Sequence, residues 1–284
     1  MGPTVVLFLK NSKTLLNDFL INGKKSNGLN PFDRGLAFGD GIFRTFKVHN
    51  GTPIFWDYHY EKLTHDALAL KIDIPSSTIL QNQIKKLFQK KGLYVGKFII
   101  TRGLSDRGYQ IPNKAISPNC ILLKSRFKKI DKSFYTRGVH VEVSQMIPSS
   151  NLHLGSIKHL NRLENVLSRE QLSKDAFDAV MLDNKKNIIE CCSHNVFFRF
   201  ENKIIMPAMN EAGVSGVSQW VIKDFAQSNG YKVEHESISL KKANKADEFF
   251  IANSVNGVIP VRSFNQKYWK DFKFVQELKH SITF

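Results

Sequence analysis

In the stretch from Ile157 to Phe198, IKHLNRLENVLSREQLSKDAFDAVMLDNKKNIIECCSHNVFF, Lys158 stands just ahead of an amphipathic pattern. In the same stretch Glu190 closes a strand-like run before the small and polar residues CCSHN. Further along, GVSGVSQW sets Gly213 and Gly216 before a second amphipathic pattern, so the backbone N–H groups of Val217 and Ser218 read as a helix N-terminus able to hold an anion. A lysine amine for carbonyl chemistry, an acid to keep a ring nitrogen protonated and a cradle for a phosphate are the parts that pyridoxal phosphate (PLP) requires of a protein. Each also has an ordinary reading, as a solvated lysine, a surface acid or turn glycines, and composition and spacing alone do not choose.

The elements that would position these residues follow from periodicity. FLINGK reads as a strand leaving at a turn, and GLAFGDGIFRTFKVHNGTPIFW alternates apolar and polar residues around the hairpin signal Asn50-Gly51. Asp57 is placed to cap a helix through Tyr60, Leu63, Ala67 and Leu70, which Pro75 ends; Ser76 or Ser77 then opens another through Ile79, Ile84 and Leu87. LYVGKFIITRG and NCILLKSRF are β-rich, and the cationic stretch Lys124 to Lys132 is the linker candidate. Beyond it, Val139 to Val143 alternates as a strand. Asn161 to Lys174 reads as a helix with Leu160, Leu163, Val166, Leu167 and Leu172 on one face. Two strand pairs follow, AFDAVMLD with NIIE and VFFRF with KIIMP, then a helix from Gly216 to Asn229-Gly230, the strands of DEFFIANSVNGVIPV and a terminal helix from Lys267. The pattern predicts an α+β chain: an N-terminal domain over 1–125, a linker over 126–132 and a C-terminal domain over 133–284.

Composition narrows the function classes. The apolar run in MGPTVVLFLK is too short to span a membrane and precedes no cleavage site, so a soluble protein is expected. Cys120, Cys191 and Cys192 form neither an even disulfide set nor a CxxC pair, which points to a reducing cytoplasm, and no metal-ligand set is read. The net charge of +16 comes mostly from lysine, 31 of the 41 cations, scattered in pairs such as Lys24-Lys25 and Lys241-Lys242. Base readers use arginine clustered along one element, so nucleic acid is not the expected partner and a basic, solvated surface is.

Five separated segments, in order, resemble one family. FGDGIFRTF is similar to the N-terminal strand signature of the class IV aminotransferases of fold type IV, LSDRGYQ to an Arg-Gly-Tyr loop, IKHLNRLENVL to the catalytic-lysine segment, ECCSHNVFF to the glutamate segment and DEFFIANSVNGVIPV to the C-terminal strand. The resemblance runs from about Phe19 to Val261, and KHLNRLENVL with DRGY looks like the lyase branch, which turns 4-amino-4-deoxychorismate into 4-aminobenzoate and pyruvate for folate synthesis. It implies a smaller N-terminal α/β sandwich-like domain, a larger C-terminal pseudo-barrel that binds PLP, and a homodimer. It also implies residue roles: Lys158 carries the cofactor and moves protons, and Glu190 holds the pyridine nitrogen protonated. Ser193, His194 and Asn195 line the pocket, Val217 and Ser218 bind phosphate with Asn253 and Ser254 nearby, and Thr45 faces the substrate. Arg102 and Arg107 are the candidates for substrate carboxylates, since a guanidinium fork matches a carboxylate.

The chain also departs from the resemblance. Lys62 in HYEKL stands where an arginine near the phosphate is usual, Gln219 where a basic residue follows the phosphate segment, His194 where a small residue is preferred, Met206 where threonine is common and Arg44 where many members carry glutamate. The rival readings are a D-amino-acid or branched-chain aminotransferase on the same scaffold, and a basic binding protein without catalysis.

Overall fold

Alternation in the first third of the chain builds one antiparallel sheet. The structure, a computed structural model, describes residues 19–26, 28–111, 116–282 and 284, so MGPTVVLFLK and the rest of the segment before Phe19 lie outside the described residues. The elements run β1 (Phe19–Ile21), α1 (Arg34–Phe38), β2 (Gly41–His49), β3 (Thr52–Pro53), α2 (Trp56–Ala69), α3 (Ser77–Leu87), β4 (Leu93–Thr101) and β5 (Asn119–Arg126). The strands pair in the order β1-β5-β4-β2-β3. The β2–β3 hairpin turns at Asn50 and Gly51, both with positive φ, as the Asn-Gly pair requires. On one face of the sheet Phe46, Phe98, Ile100 and Leu122 pack under Leu63 and Ala67 of α2 and Leu80 and Ile84 of α3. Ser76 caps α3 by accepting from the Ile79 N–H. Asp57 does not cap α2: Phe55, in the left-handed region, takes that place, and Asp57 lies inside the first turn, where its charge still suits the helix dipole. RGLAF, expected to be extended, is the short helix α1, because Asp33 accepts from the Gly35 N–H at its start and Gly39 ends it with positive φ.

The first sheet ends at Arg126, and after five further residues come α4 (Lys132–Arg137), β6 (Val139–Val143), α5 (Leu163–Glu170), β7 (Asp178–Leu182), β8 (Asn187–Cys191), β9 (Asn195–Phe200), β10 (Lys203–Pro207) and α6 (Val217–Ser228). They are followed by β11 (Lys232–Glu236), β12 (Ile238–Ser239), α7 (Leu240–Ala243), β13 (Glu248–Asn253), β14 (Gly257–Phe264), β15 (Lys267–Tyr268) and α8 (Lys273–Ser281). The terminal helix therefore starts at Lys273, after a short strand pair where Lys267 was read as helical. Ten strands form the second sheet in the order β11-β10-β9-β13-β14-β6-β7-β8-β12, with β15 on β14. Although β8 and β9 are far apart along this path, the three residues between them bring them together, and β8 also meets β10. The sheet thus curls on itself. Its interior is aromatic, with Phe197 stacked on Phe250 and Phe198 on Phe249, and α6 and α8 cover it through Ile222 and Phe274.

Two features of this fold bear on the site. Ile157, from the second half of the chain, is buried in the core of the first sheet, an anchor worth about 1.5–3 kcal/mol. By contrast α5 is shorter than the expected helix over Asn161 to Lys174, and its apolar face is not inward: Leu163 is 76% exposed and Val166 60%. No helix among the described residues is long and apolar enough to cross a membrane.

Candidate active site

The residues that place Lys158 come from both sheets. With Ile157 fixed in the first core, the next residues run extended along the start of β2: the Lys158 carbonyl accepts from the Phe43 N–H at 3.0 Å, and the Leu160 N–H donates to the Gly41 carbonyl at 3.0 Å. The Lys158 N–H donates to Asp66 at 3.1 Å, and its ammonium lies 4.7 Å from the centre of the Phe43 ring. Lysine therefore projects from a backbone held on both sides, ahead of α5 rather than on it. Burial and, after it, the positive charge of Arg44 hold its amine well below the ordinary lysine value, against a pull from Glu190 and Asp66.

Glu190 stands on β8, in the second sheet, and is buried. Burial pushes its carboxyl up from the ordinary range, opposed by the charges of Arg162 and Lys158. One of its oxygens accepts from the Val214 N–H at 3.1 Å, and the Val214 carbonyl accepts from the Asn195 amide at 2.7 Å. The loop before α6 is thereby stitched across the seam where β8 and β9 meet. The Asn195 carbonyl oxygen accepts from the Ser218 hydroxyl at 3.2 Å. Gly216 caps α6, and a Cβ there would lie 2.1 Å from that same oxygen, so only glycine lets the helix start so close to Asn195.

A cleft enclosing about 710 Å³, part of it open to solvent, joins these groups; its lining includes Phe43, Arg44, Thr45, His59, Lys158, Arg162, Asn165, Glu190, Ser193, His194, Asn195, Gly216, Val217, Ser218, Asn253 and Ser254. Its rear wall is organised by Asp178, fully buried on β7, which accepts from the Ser193 hydroxyl and His194 Nδ1, each at 2.6 Å, and from the Cys192 thiol. Asn253 holds the Ser193 carbonyl at 3.0 Å, and the Ser254 hydroxyl donates to the Thr45 carbonyl at 2.8 Å, tying the second sheet to β2. The cleft thus holds a lysine amine with depressed basicity, a buried acid with raised pKa and a helix N-terminus, with the guanidiniums of Arg44 and Arg162 in the lining. That electrostatic balance suits an anionic ligand.

Of the residues expected from the sequence, the structure brings Lys158, Glu190, Thr45, Ser193, His194, Asn195, Val217, Ser218, Asn253 and Ser254 to this one cleft. It does not bring Lys62, Arg102 or Arg107 there. Lys62 is buried, its three donors directed at Asp66 (2.5 Å), His65 Nδ1 (3.2 Å) and the Ser156 carbonyl (3.3 Å). Arg102 forks onto Asp40 at 2.7 and 3.0 Å and donates to the carbonyls of Leu70 and Lys71, each at 2.7 Å, so its guanidinium closes the C-terminal end of α2. Arg107 is exposed on a loop whose carbonyls at Gly108, Tyr109 and Gln110 are gripped by Arg34. Sequence reasoning missed Phe43, His59, Arg162 and Asn165 as lining residues. Arg162 had a signal, its place beside the lysine; His59 had none apart from its helical spacing to Lys62.

A model of the class IV amino-transferases matches residues 41–264. An aminodeoxychorismate lyase from Vibrio harveyi is 29% identical over 245 residues, 86% of this chain and 90% of that protein. A D-alanine aminotransferase from Bacillus licheniformis is 27% identical over 240 residues, 82% of each chain. The crystal structure of 4-amino-4-deoxychorismate lyase from Pseudomonas aeruginosa superposes with a TM-score of 0.88 at 29% identity, covering 93% of this chain and 97% of that one.

Proposed function

The chain belongs to the class IV aminotransferases, and from that premise we propose that it is a PLP-dependent lyase that converts 4-amino-4-deoxychorismate to 4-aminobenzoate and pyruvate, a step of folate biosynthesis. The observation that carries this reading is that Lys158 and Glu190, held by different sheets, line one cleft with the N-terminus of α6. Likeness to lyases over most of the chain, in sequence and in structure, selects this branch.

The cleft fits the cofactor. Glu190 is buried beside Lys158, the missing side chain at Gly216 leaves the α6 N–H groups approachable, and buried nitrogens of Arg44 and His59 in the lining have no partner among the described residues. Lys158 would hold PLP, Glu190 its ring nitrogen, and Val217 and Ser218 its phosphate. Bound there, PLP supplies an electron sink for a carbon that bears the substrate amine. Lys158, its amine held well below the ordinary lysine value by burial and neighbouring cations, takes the proton from the amine-bearing ring carbon. Loss of that proton lets the bond between the adjacent ring carbon and the enolpyruvyl oxygen break, and the ring becomes aromatic. Lys158 or the Thr45 hydroxyl returns a proton to the departing enolpyruvate to give pyruvate. Glu190 keeps a proton at the ring nitrogen throughout, as a carboxylate placed against that atom does. Neither arginine expected to meet a substrate carboxylate is placed for it: Arg102 is committed to Asp40, and Arg107 is exposed outside the cleft lining.

The protein works as a homodimer in the cytoplasm in this reading. Leu163, Val166 and Leu167 leave an apolar stripe of α5 uncovered, which a second copy would bury, and the cysteines are unpaired. Loaded with PLP and given aminodeoxychorismate and no keto acid, the protein is expected to release 4-aminobenzoate and pyruvate in equal amounts. Stoichiometric consumption of an amino acid and a keto acid, with aminodeoxychorismate left intact, would assign it to the transaminases.

A further inference from the structure

The cation that the resemblance puts at the phosphate, Lys62, has no donor left for it. An ammonium has three, and those of Lys62 point at Asp66, His65 and the Ser156 carbonyl, away from the cleft lining. Arg44, one strand away on β2, is placed otherwise. Its guanidinium pairs with Asp66 through one terminal nitrogen, and its Nε is buried, in a side chain that lines the cleft, without a partner among the described residues. His59, one turn before Lys62 on α2, is as buried, and neither ring nitrogen has a partner among the described residues. Burial and the nearby charges of Arg44 and Lys158 push its imidazole down to about 3, so it is neutral and carries one N–H. A buried donor left unpaired costs about 1–3 kcal/mol, and more for a charged group. The helix that bears His59 lies beside α6, joined by the 2.6 Å bond from the Tyr58 hydroxyl to Asp224.

We propose that Arg44 and His59, rather than Lys62, complete the anion site opened by the N-terminus of α6 and bind the phosphate of the cofactor. Asp66 is the residue that permits this exchange. Fully buried between Arg44 and Lys62, it takes up the whole charge of the lysine and one edge of the guanidinium, and it holds the Lys158 backbone as well. The remaining face of Arg44 is left for an oxyanion, with a planar array of donors that a lysine does not have.

The inference rests on the PLP reading, and the test separates the two by comparing PLP with pyridoxal, which lacks the phosphate, in equilibrium dialysis against the apo-protein. Arg44→Gln is expected to weaken PLP about 10- to 100-fold, the loss of charge-assisted bonds, and leave pyridoxal unchanged. His59→Phe, which keeps the ring shape, should weaken PLP about 3- to 10-fold, and Lys62→Met should change neither ligand more than about threefold. Arg44→Gln is expected to fold, since Asp66 keeps Lys62; a cooperative melt of the apo-protein checks this, and Arg44→Lys should recover part of the affinity. Selective loss of PLP in Lys62→Met with Arg44→Gln unaffected would overturn the proposal, as would equal weakening of PLP and pyridoxal in Arg44→Gln. Wild type that binds pyridoxal as tightly as PLP would overturn it while leaving the cofactor reading intact. Wild type that binds neither would overturn both.

Discussion

Gly216→Ala is the smallest change that reaches the centre of the site. The backbone at Gly216 has φ −80°, which alanine adopts without strain, so any effect is steric. The new methyl would lie 2.1 Å from the Asn195 carbonyl oxygen, more than about 1 Å inside ordinary contact. Either Asn195 or the start of α6 must yield. If Asn195 turns away, it loses its 2.7 Å bond to the Val214 carbonyl and its 3.2 Å bond from Ser218, at about 0.5–1.5 kcal/mol each. Overpacking adds about 1–3 kcal/mol, so the folded state should lose about 2–6 kcal/mol. If the helix start moves instead, the Val217 and Ser218 N–H groups leave the phosphate position and PLP affinity falls about tenfold, the equivalent of one net hydrogen bond. Urea unfolding and PLP titration would be measured for Gly216→Ala, Asn195→Ala and the double variant. With the obstructing side chain gone, the penalty of Gly216→Ala should shrink in the double variant. An unaltered stability and affinity in Gly216→Ala, or a penalty equal in both backgrounds, would refute the packing argument.

Other outcomes follow from the same geometry. Arg102→Ala, which leaves Asp40 with Arg34 alone and two carbonyls without their partner, should lower unfolding free energy by about 1–3 kcal/mol in denaturant titration, whereas Arg107→Ala should leave it unaltered. The fraction of neutral Lys158 amine rises with pH through its pKa; because burial and Arg44 lower that value, PLP capture by the apo-protein should reach half its maximal rate well below pH 10.5, and Arg44→Gln should move the midpoint upward. Asp178 is held below the ordinary carboxylate value, since its bonds from His194, Cys192 and Ser193 outweigh burial. Its contribution to stability is therefore full above the unfolded carboxyl pKa and fades as pH falls through the lower folded one, so the stability gap between wild type and Asp178→Asn should narrow in acid.

Much of this was legible because local chemistry and the final environment agree. Alternation around Asn50-Gly51 and Glu201-Asn202 marks hairpins that the sheets then bury, and Gly216 and Gly230 bound α6. GLAF misled because its alternation imitates a strand, while the caps at Asp33 and Gly39, on either side of Arg34–Phe38, decide for a helical turn. The apolar stripe of α5 has a helical period but no described residue covers it; periodicity tells that a face is apolar and not what it meets. Lys62 and Arg102 were read by charge type, and charge type does not disclose a partner. Asp66 and Asp40, distant from the chemistry in the sequence reading, occupy these cations, and Arg44 and His59 enter the cleft only because α2 lies across β2.

Lys158 is the residue on which cofactor binding and proton transfer both depend. Protein incubated with PLP, reduced with borohydride and digested should yield one peptide bearing a phosphopyridoxyl group, with the modification on Lys158, and Lys158→Ala should yield none. Modification spread over the surface lysines, or centred on Lys62 with Lys158 free, would contradict it.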